Sequence, residues 1–278
     1  MRCFDIDLKE KYEFLGENGK QPHVSCYLPY CLKEMGRENE KRPCMVVCPG
    51  GGYAFCSERE AEPIALKFLN WGFNVFVLYY SCAPHRYPVQ LREVAAVFEE
   101  IYAHADEWNC DTDKIGIIGF SAGGHLSAHY SNAYNSNAVR KVFPNSKKPA
   151  FSVLCYPVIS ADEGFFAHKG SFENLLGEFP TGDNANEFSC EKLVTSDTPP
   201  AFIWHTAEDK CVPVKNSLCY AAALADNNVP FCLHIYPYGE HGLSTCDTLT
   251  NNPEIINEKK ALAQAWLVDL KKWLENAI

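Results

Sequence analysis

The stretch Lys114-Ile115-Gly116-Ile117-Ile118-Gly119-Phe120-Ser121-Ala122-Gly123-Gly124 decides how this chain of 278 residues is read. Its first half is a short β-branched run with the look of a buried strand, and a helix rich in small residues starts just after Ser121. Between them Gly119 and Gly123 stand two residues before and two after the serine. That spacing leaves room for a sharp strand-to-helix turn, which lifts the hydroxyl above the carboxyl edge of a sheet at a helix N-terminus. The pentapeptide alone carries little weight, because Gly/Ser turns match it by accident. The strand before it and the helix after it make Ser121 a candidate nucleophile.

Outward from this turn, apolar runs alternate with helical patterns. Residues 3–8 and 24–29 read as two early strands with turn-rich sequence between them. Further strands are expected at 43–48, 73–80, 114–118, 150–156, 201–205 and 231–236. Helices are expected over 58–70, 88–108, 213–226 and 258–275, the last with an apolar stripe of Leu262, Trp266, Leu267, Leu270 and Trp273. Such alternation means an α/β fold, a mostly parallel sheet of about eight strands with helices on both faces. Residues 158–200 show no clear strand, and stretches that long in compact domains are usually lids or binding insertions. No repeat or linker divides residues 1–278, so a single domain is expected.

Serine is a weak nucleophile at neutral pH and needs a general base oriented by an acid. For this type of turn the chain order is serine, then acid, then histidine. The strand at 201–205 runs into Thr206-Ala207-Glu208-Asp209-Lys210, and the strand at 231–236 into Tyr238-Gly239-Glu240-His241-Gly242. Asp209 is the expected acid and His241 the expected base. Glu208 competes, but Val212-Pro213 at the next helix entry favours Asp209. A turn or helix-capping aspartate and a plain loop histidine are the bland readings of the same two positions. His125, His205 and His234 read as core or strand histidines, and His85 as a loop residue near a pocket.

Pro49-Gly50-Gly51-Gly52-Tyr53 follows the strand at 43–48. Charge that develops on an attacked carbonyl oxygen needs preorganised N–H donors, and consecutive glycines let the backbone approach without a Cβ in the way. The N–H groups of Gly51 and Gly52, with that of Ala122, are the expected oxyanion hole. No Lys-Ser/Thr follows the glycines and G-x-G-x-x-G is absent, so phosphate and dinucleotide binding are poor fits. Tyr53, Phe55, Tyr80 and Trp204 lie near these loops and are candidates for stacking on a substrate ring, although core packing is the commoner fate of such residues.

Together, Gly119 to Gly124, the Pro-Gly-Gly-Gly-Tyr loop, Asp209 and His241 resemble the alpha/beta-hydrolase fold. The resemblance is nearest to its bacterial esterase branch, beside the hormone-sensitive-lipase-like and acetylxylan-esterase-like enzymes. Tyr79 to Pro84, Tyr87-Pro88 and Thr198-Pro199-Pro200 share in it, over roughly residues 43–275. It implies a serine carboxylesterase for short acyl groups, with acetyl esters on xylo-oligosaccharides as the expected substrate class. No metal and no organic cofactor is required. Pro49 stands where lipase-like members carry histidine before the glycines, a departure that points away from lipid esters. An arylformamidase or small peptidase would share the same motifs. A catalytically silent binding protein of this fold would usually lack one member of the set.

Composition bounds the remainder. Twenty-five Lys and Arg against 35 Asp and Glu give a net charge of −10, a poor match for nucleic acid. No apolar run approaches the 18 or so residues of a membrane span. Fourteen cysteines lie scattered, without a C-x-x-C pair, and several sit in apolar runs. Free thiols in a reducing cytoplasm are expected, with a homodimer left open.

Overall fold

The structure, a computed structural model, describes residues 1–12, 22–162, 164, 166–254 and 256–277. Residues 13–21 of the expected turn region, and 163 and 165 of the 158–200 segment, lie outside them. Eight strands form one sheet: β1 (Arg2–Asp7), β2 (His23–Leu28), β3 (Arg42–Cys48), β4 (Asn74–Tyr79), β5 (Cys110–Phe120), β6 (Phe151–Cys155), β7 (Ala201–Thr206) and β8 (Phe231–Tyr236). Their order is β1-β2-β4-β3-β5-β6-β7-β8. β1 and β2 pair antiparallel at one edge, and β3 through β8 run parallel.

Period-two alternation sorts the central side chains onto two faces. Cys44, Val46 and Cys48 of β3 face one core with Phe76, Leu78 and Ile117. Met45 and Val47 face the other with Val75, Val77, Ile118 and Phe120. Helix α1 (Glu62–Asn70) and helix α6 (Ala265–Ala277) cover the second face, the latter with Trp266, Leu267, Leu270 and Leu274. Helix α2 (Val89–Ala103) and helix α3 (Ala122–Ala133) cover the first. Helix α5 (Lys215–Asp226) packs Tyr220, Ala221 and Leu224 on Leu154 and Ile203. This two-sided burial explains why the central strands read as unbroken apolar runs.

Several boundaries differ from the sequence reading. The long α-helices within the stretches expected from 58, 213 and 258 run from Glu62, Lys215 and Ala265. Three further differences have plain physical causes. Leu8 leaves the first strand because the Asp7 carboxylate accepts from the N–H groups of Lys9 and Glu10 and caps a single helical turn. β5 starts at Cys110, four residues early, where Cys110 pairs with Arg42; the polar Asp111-Thr112-Asp113-Lys114 had hidden it. Helix α2 stops at Ala103, five residues short of expectation. Cys110 N–H returns to the Ala105 carbonyl, and Asn109 takes φ 54° as the chain turns into β5. Within 158–200 lie helix α4 (Lys169–Leu176), a short helix Asn184–Phe188 and a 3-10 turn Cys190–Lys192. All fourteen cysteines are free thiols. No helix among the described residues is long and apolar enough to cross a membrane.

Candidate active site

Ser121 joins β5 to α3 with φ 53° and ψ −117°, a combination that side-chain-bearing residues rarely adopt. Its backbone is held from both sides. Ser121 N–H donates to Cys155 O, while Ser121 O accepts from His125 and Val158. The flanking glycines are steric necessities. A Cβ on Gly119 would stand 2.1 Å from Gly123 O, and one on Gly123 would stand 2.1 Å from Cys48 O. The elbow therefore packs backbone against backbone on the loop that follows β3.

The structure brings Ser121, Asp209 and His241 together across 120 residues of chain. His241 Nε2 lies 2.8 Å from Ser121 Oγ, and His241 Nδ1 lies 2.6 Å from Asp209 Oδ2. The Asp209 side chain is fully buried, and the His241 side chain is about one-fifth exposed. Burial would push the Asp209 carboxyl up. Hydrogen bonds from His205 and His241, together with the backbone N–H of Val212, outweigh burial and hold it well below the usual carboxylate range. With Asp209 ionised at Nδ1, the imidazole keeps Nε2 as an acceptor facing the hydroxyl, the arrangement that can take its proton. Glu208, the competing acid, instead accepts from Gly239 N–H and so braces the loop that carries His241. Thr206 Oγ1 donates to the carbonyl of the same Gly239.

The glycine loop completes the arrangement. No acceptor among the described residues takes the N–H groups of Gly51, Gly52 or Ala122. Gly50 N–H is engaged instead, donating at 2.8 Å to the buried Glu60 carboxylate. The other oxygen of Glu60 accepts from Tyr156 OH at 2.6 Å, and that hydroxyl accepts from Ser244 N–H. Tyr156 also sets its ring edge-on against His241, with centroids 5.1 Å apart. One buried carboxylate thus ties the glycine loop to the histidine loop. The sequence reading missed Glu60 because it sits among charged residues on an apparently solvated turn.

The 158–200 segment contributes to the same region. Asn174 donates to Gly52 O at 2.9 Å, and His168 Nε2 lies 3.6 Å from Cys211 Sγ beside Asp209. Burial and the neighbouring His241 hold His168 below the usual imidazole range, against the pull of Asp209. Glu208, Lys210, Cys211, Glu240 and His241 line an opening of about 580 Å³. A second cleft of about 500 Å³ lies on the β4 side of the glycine loop, walled by Phe55, His23, Glu58 and Pro84.

The aromatic expectations divide. Trp204 is fully buried and stacked on Trp266, so it cannot touch a substrate. Tyr53 is buried with its hydroxyl 2.8 Å from His125 Nδ1, and Tyr80 is buried with its hydroxyl on Pro49 O. Tyr53 and Trp204 are core residues, whereas Tyr80, though buried, lines the floor of the second cleft beside Phe55. Phe55 is 61% exposed at the rim of the second cleft. His125 is a core histidine, as expected: burial lowers it to about 4, and Nε2 lies 2.9 Å from Phe188 O. His234 stacks on Phe202, and His85 lines the second cleft. No cluster of three or more His, Cys, Asp or Glu among the described residues could hold a metal ion.

Known proteins share this architecture. The BD-FAE family matches residues 32–224, more than two thirds of the chain. A Butyrivibrio fibrisolvens protein named endo-1,4-beta-xylanase B is 36% identical over 87% of this chain and 39% of its own. An acetylxylan esterase from Xylanibacter ruminicola is 34% identical over 82% of this chain and 45% of its own. The chain therefore spans less than half the length of these two relatives. Among solved structures, an acetyl ester-xyloside bifunctional hydrolase from Caldicellulosiruptor lactoaceticus is 36% identical, with a TM-score of 0.78 over 93% of this chain and 89% of its own. A carboxylesterase from Lactobacillus plantarum is 27% identical, with a TM-score of 0.84 over 99% and 98%. On sequence and architecture alike, the chain belongs to the BD-FAE family, within the esterase branch of the alpha/beta-hydrolase fold.

Proposed function

We propose that this protein is a serine carboxylesterase that removes acetyl groups from xylo-oligosaccharides through Ser121, His241 and Asp209. The observation that carries this reading is the continuous hydrogen-bonded line from Ser121 Oγ through the His241 ring to Asp209. Ser121 Oγ attacks the ester carbonyl while His241 Nε2 takes the hydroxyl proton. The N–H groups of Gly51, Gly52 and Ala122 stabilise the oxyanion of the tetrahedral intermediate. His241 then gives its proton to the departing sugar alkoxide, leaving an acetyl ester on Ser121. A water molecule, deprotonated by the same nitrogen, attacks that ester, and acetate leaves as Ser121 regains its proton. The segment 158–200 acts as a cap over this centre.

The sugar assignment draws support from the named activities of the relatives and from the second cleft, where Phe55 offers an exposed ring on the far side of the glycine loop. β4 is separated from β5 by β3, so the cleft stands about 10 Å along the sheet edge from the elbow at roughly 4.8 Å per strand. A multi-ring substrate spans that gap, whereas an isolated acetate ester does not. Phe55→Ala is expected to lower the kcat/KM ratio of acetylated xylotetraose to 4-nitrophenyl acetate by about 2- to 12-fold, the factor equivalent to an aromatic contact of about 0.5–1.5 kcal/mol. An unchanged ratio would remove the cleft from substrate binding.

The decisive experiment combines a fluorophosphonate probe with a substrate panel. Stoichiometric labelling of Ser121 and preferred turnover of acetylated xylo-oligosaccharides are expected. Absence of labelling would favour a binding protein. Faster turnover of N-formylkynurenine or of peptide anilides would replace the ester assignment with amide chemistry.

A further inference from the structure

His205 lies in β7, four residues before Asp209, and both side chains are fully buried. Its Nε2 is 2.9 Å from Val212 O and 3.2 Å from Asp209 Oδ2. A carbonyl and a carboxylate can only accept, so this nitrogen carries hydrogen. Nδ1 is 2.8 Å from Ser217 Oγ, whose hydroxyl can donate to it. The ring is thereby fixed from β7, from the loop after Asp209 and from α5.

Asp209 is fully coordinated as a result. Its Oδ1 accepts from the N–H groups of Cys211 and Val212, both at 2.9 Å. Its Oδ2 accepts from two histidines, His241 at 2.6 Å and His205 at 3.2 Å. An ionised carboxylate offers about four lone-pair sites, and four donors occupy them here. The two backbone bonds hold one oxygen. Among the described residues, His205 is the one donor besides His241 that holds the other.

We infer that His205 is a positioning residue, which acts through Asp209 by sharing Oδ2 with His241 and so sets the orientation and the basicity of that ring. The inference rests on the triad assigned above. Around His241 the other facing groups come from several elements. Glu208, Lys210 and Glu240 line the same opening, His168 approaches from the 158–200 segment, the Tyr156 ring lies beneath, and Arg59 lies against Gly242. Among the described residues, His205 is the side chain that shares the same carboxylate oxygen with His241. Losing its N–H leaves more of the charge on Oδ2 facing His241. Protonated His241 is then better stabilised, and the carboxylate is free to swing.

The test separates these effects with two buried polar replacements. His205→Gln keeps an amide N–H at the reach of Nε2, whereas His205→Asn reaches only the Nδ1 position and Ser217. The Asn variant is expected to lose about 10- to 100-fold in kcat for 4-nitrophenyl acetate, the range typical when a supporting partner of a functional side chain is removed. Its KM should stay within about twofold of wild type. The acid limb of its kcat/KM profile should move to higher pH, because a base that holds its proton more tightly is lost earlier as pH falls. The Gln variant should recover most of kcat and restore the limb.

Equal impairment of both folded variants, or wild-type kcat and limb in the Asn variant, would overturn the inference. So would loss of the cooperative melt in both variants, which would make His205 a folding residue only. Persistent activity in Ser121→Ala would instead remove the triad assignment on which the inference rests, so the two failures are distinguishable.

Discussion

Ser121→Ala is expected to abolish ester hydrolysis, lowering kcat for 4-nitrophenyl acetate by about 10⁴- to 10⁶-fold while leaving the fold intact. The loss is large because the remaining groups have no role to perform without the hydroxyl: His241 has no proton to take and no acyl-enzyme forms. The fold persists because the position is fixed by its backbone, through Cys155 O, His125 N–H and Val158 N–H, and not by the side chain. A companion substitution separates catalysis from stability. At φ 53° and ψ −117° any Cβ is strained, at a cost of about 1–3 kcal/mol. Ser121→Gly should therefore be equally inactive yet melt no lower than wild type, since relief of that strain offsets the entropy cost of a new glycine. Measured by circular dichroism beside steady-state kinetics, a Gly variant that melts well below the Ala variant would contradict the strain. An Ala variant within tenfold of wild type would remove Ser121 from the mechanism.

The parts of this molecule that were legible in its sequence are those governed by local constraints. The elbow announces itself because a strand, a sharp turn and a helix each need particular residues at fixed offsets, and Gly119 and Gly123 have no substitute where a Cβ would meet backbone oxygens. Asp209 and His241 were found because each follows a strand of apolar residues at the same edge of the sheet. Residues whose place depends on distant partners were not legible. Glu60 looks like a solvated acid until Gly50 and Tyr156 close over it. His205 reads as a strand histidine, and its contact with Asp209 depends on how the chain turns after β7. The aromatic residues show the same limit. Tyr53 and Phe55 are two apart on one loop, yet one is 1% and the other 61% exposed. The loop is not a strand, so no alternation rule told which ring would point inward.

Gly51→Ala is expected to give the second-largest loss, about 10²- to 10³-fold in kcat, the amount associated with an oxyanion-hole donor. Gly51 has φ +123°, and a Cβ there would stand 2.0 Å from Phe55 O and 2.8 Å from Phe55 C. Those are backbone atoms, already tied back by the bonds from Ala54 N–H and Phe55 N–H to Gly51 O, so they cannot swing aside as a side-chain tip would. The loop must therefore shift as a whole and carry the N–H groups of Gly51 and Gly52 away from the developing oxyanion. Gly52→Ala supplies the contrast. Its φ of +63° is left-handed but tolerable at about 1–2 kcal/mol, and the nearest atom to its new Cβ is Ser171 Oγ at 3.8 Å. It should lose less than about tenfold. KM for an acetyl ester should change little in either variant, because the hole binds the charge that appears in the transition state more strongly than the ground-state carbonyl. Labelling of Ser121 by a fluorophosphonate should slow in parallel with kcat, since the phosphoryl oxygen uses the same donors. A Gly51→Ala variant that labels and turns over within threefold of wild type would place the oxyanion elsewhere.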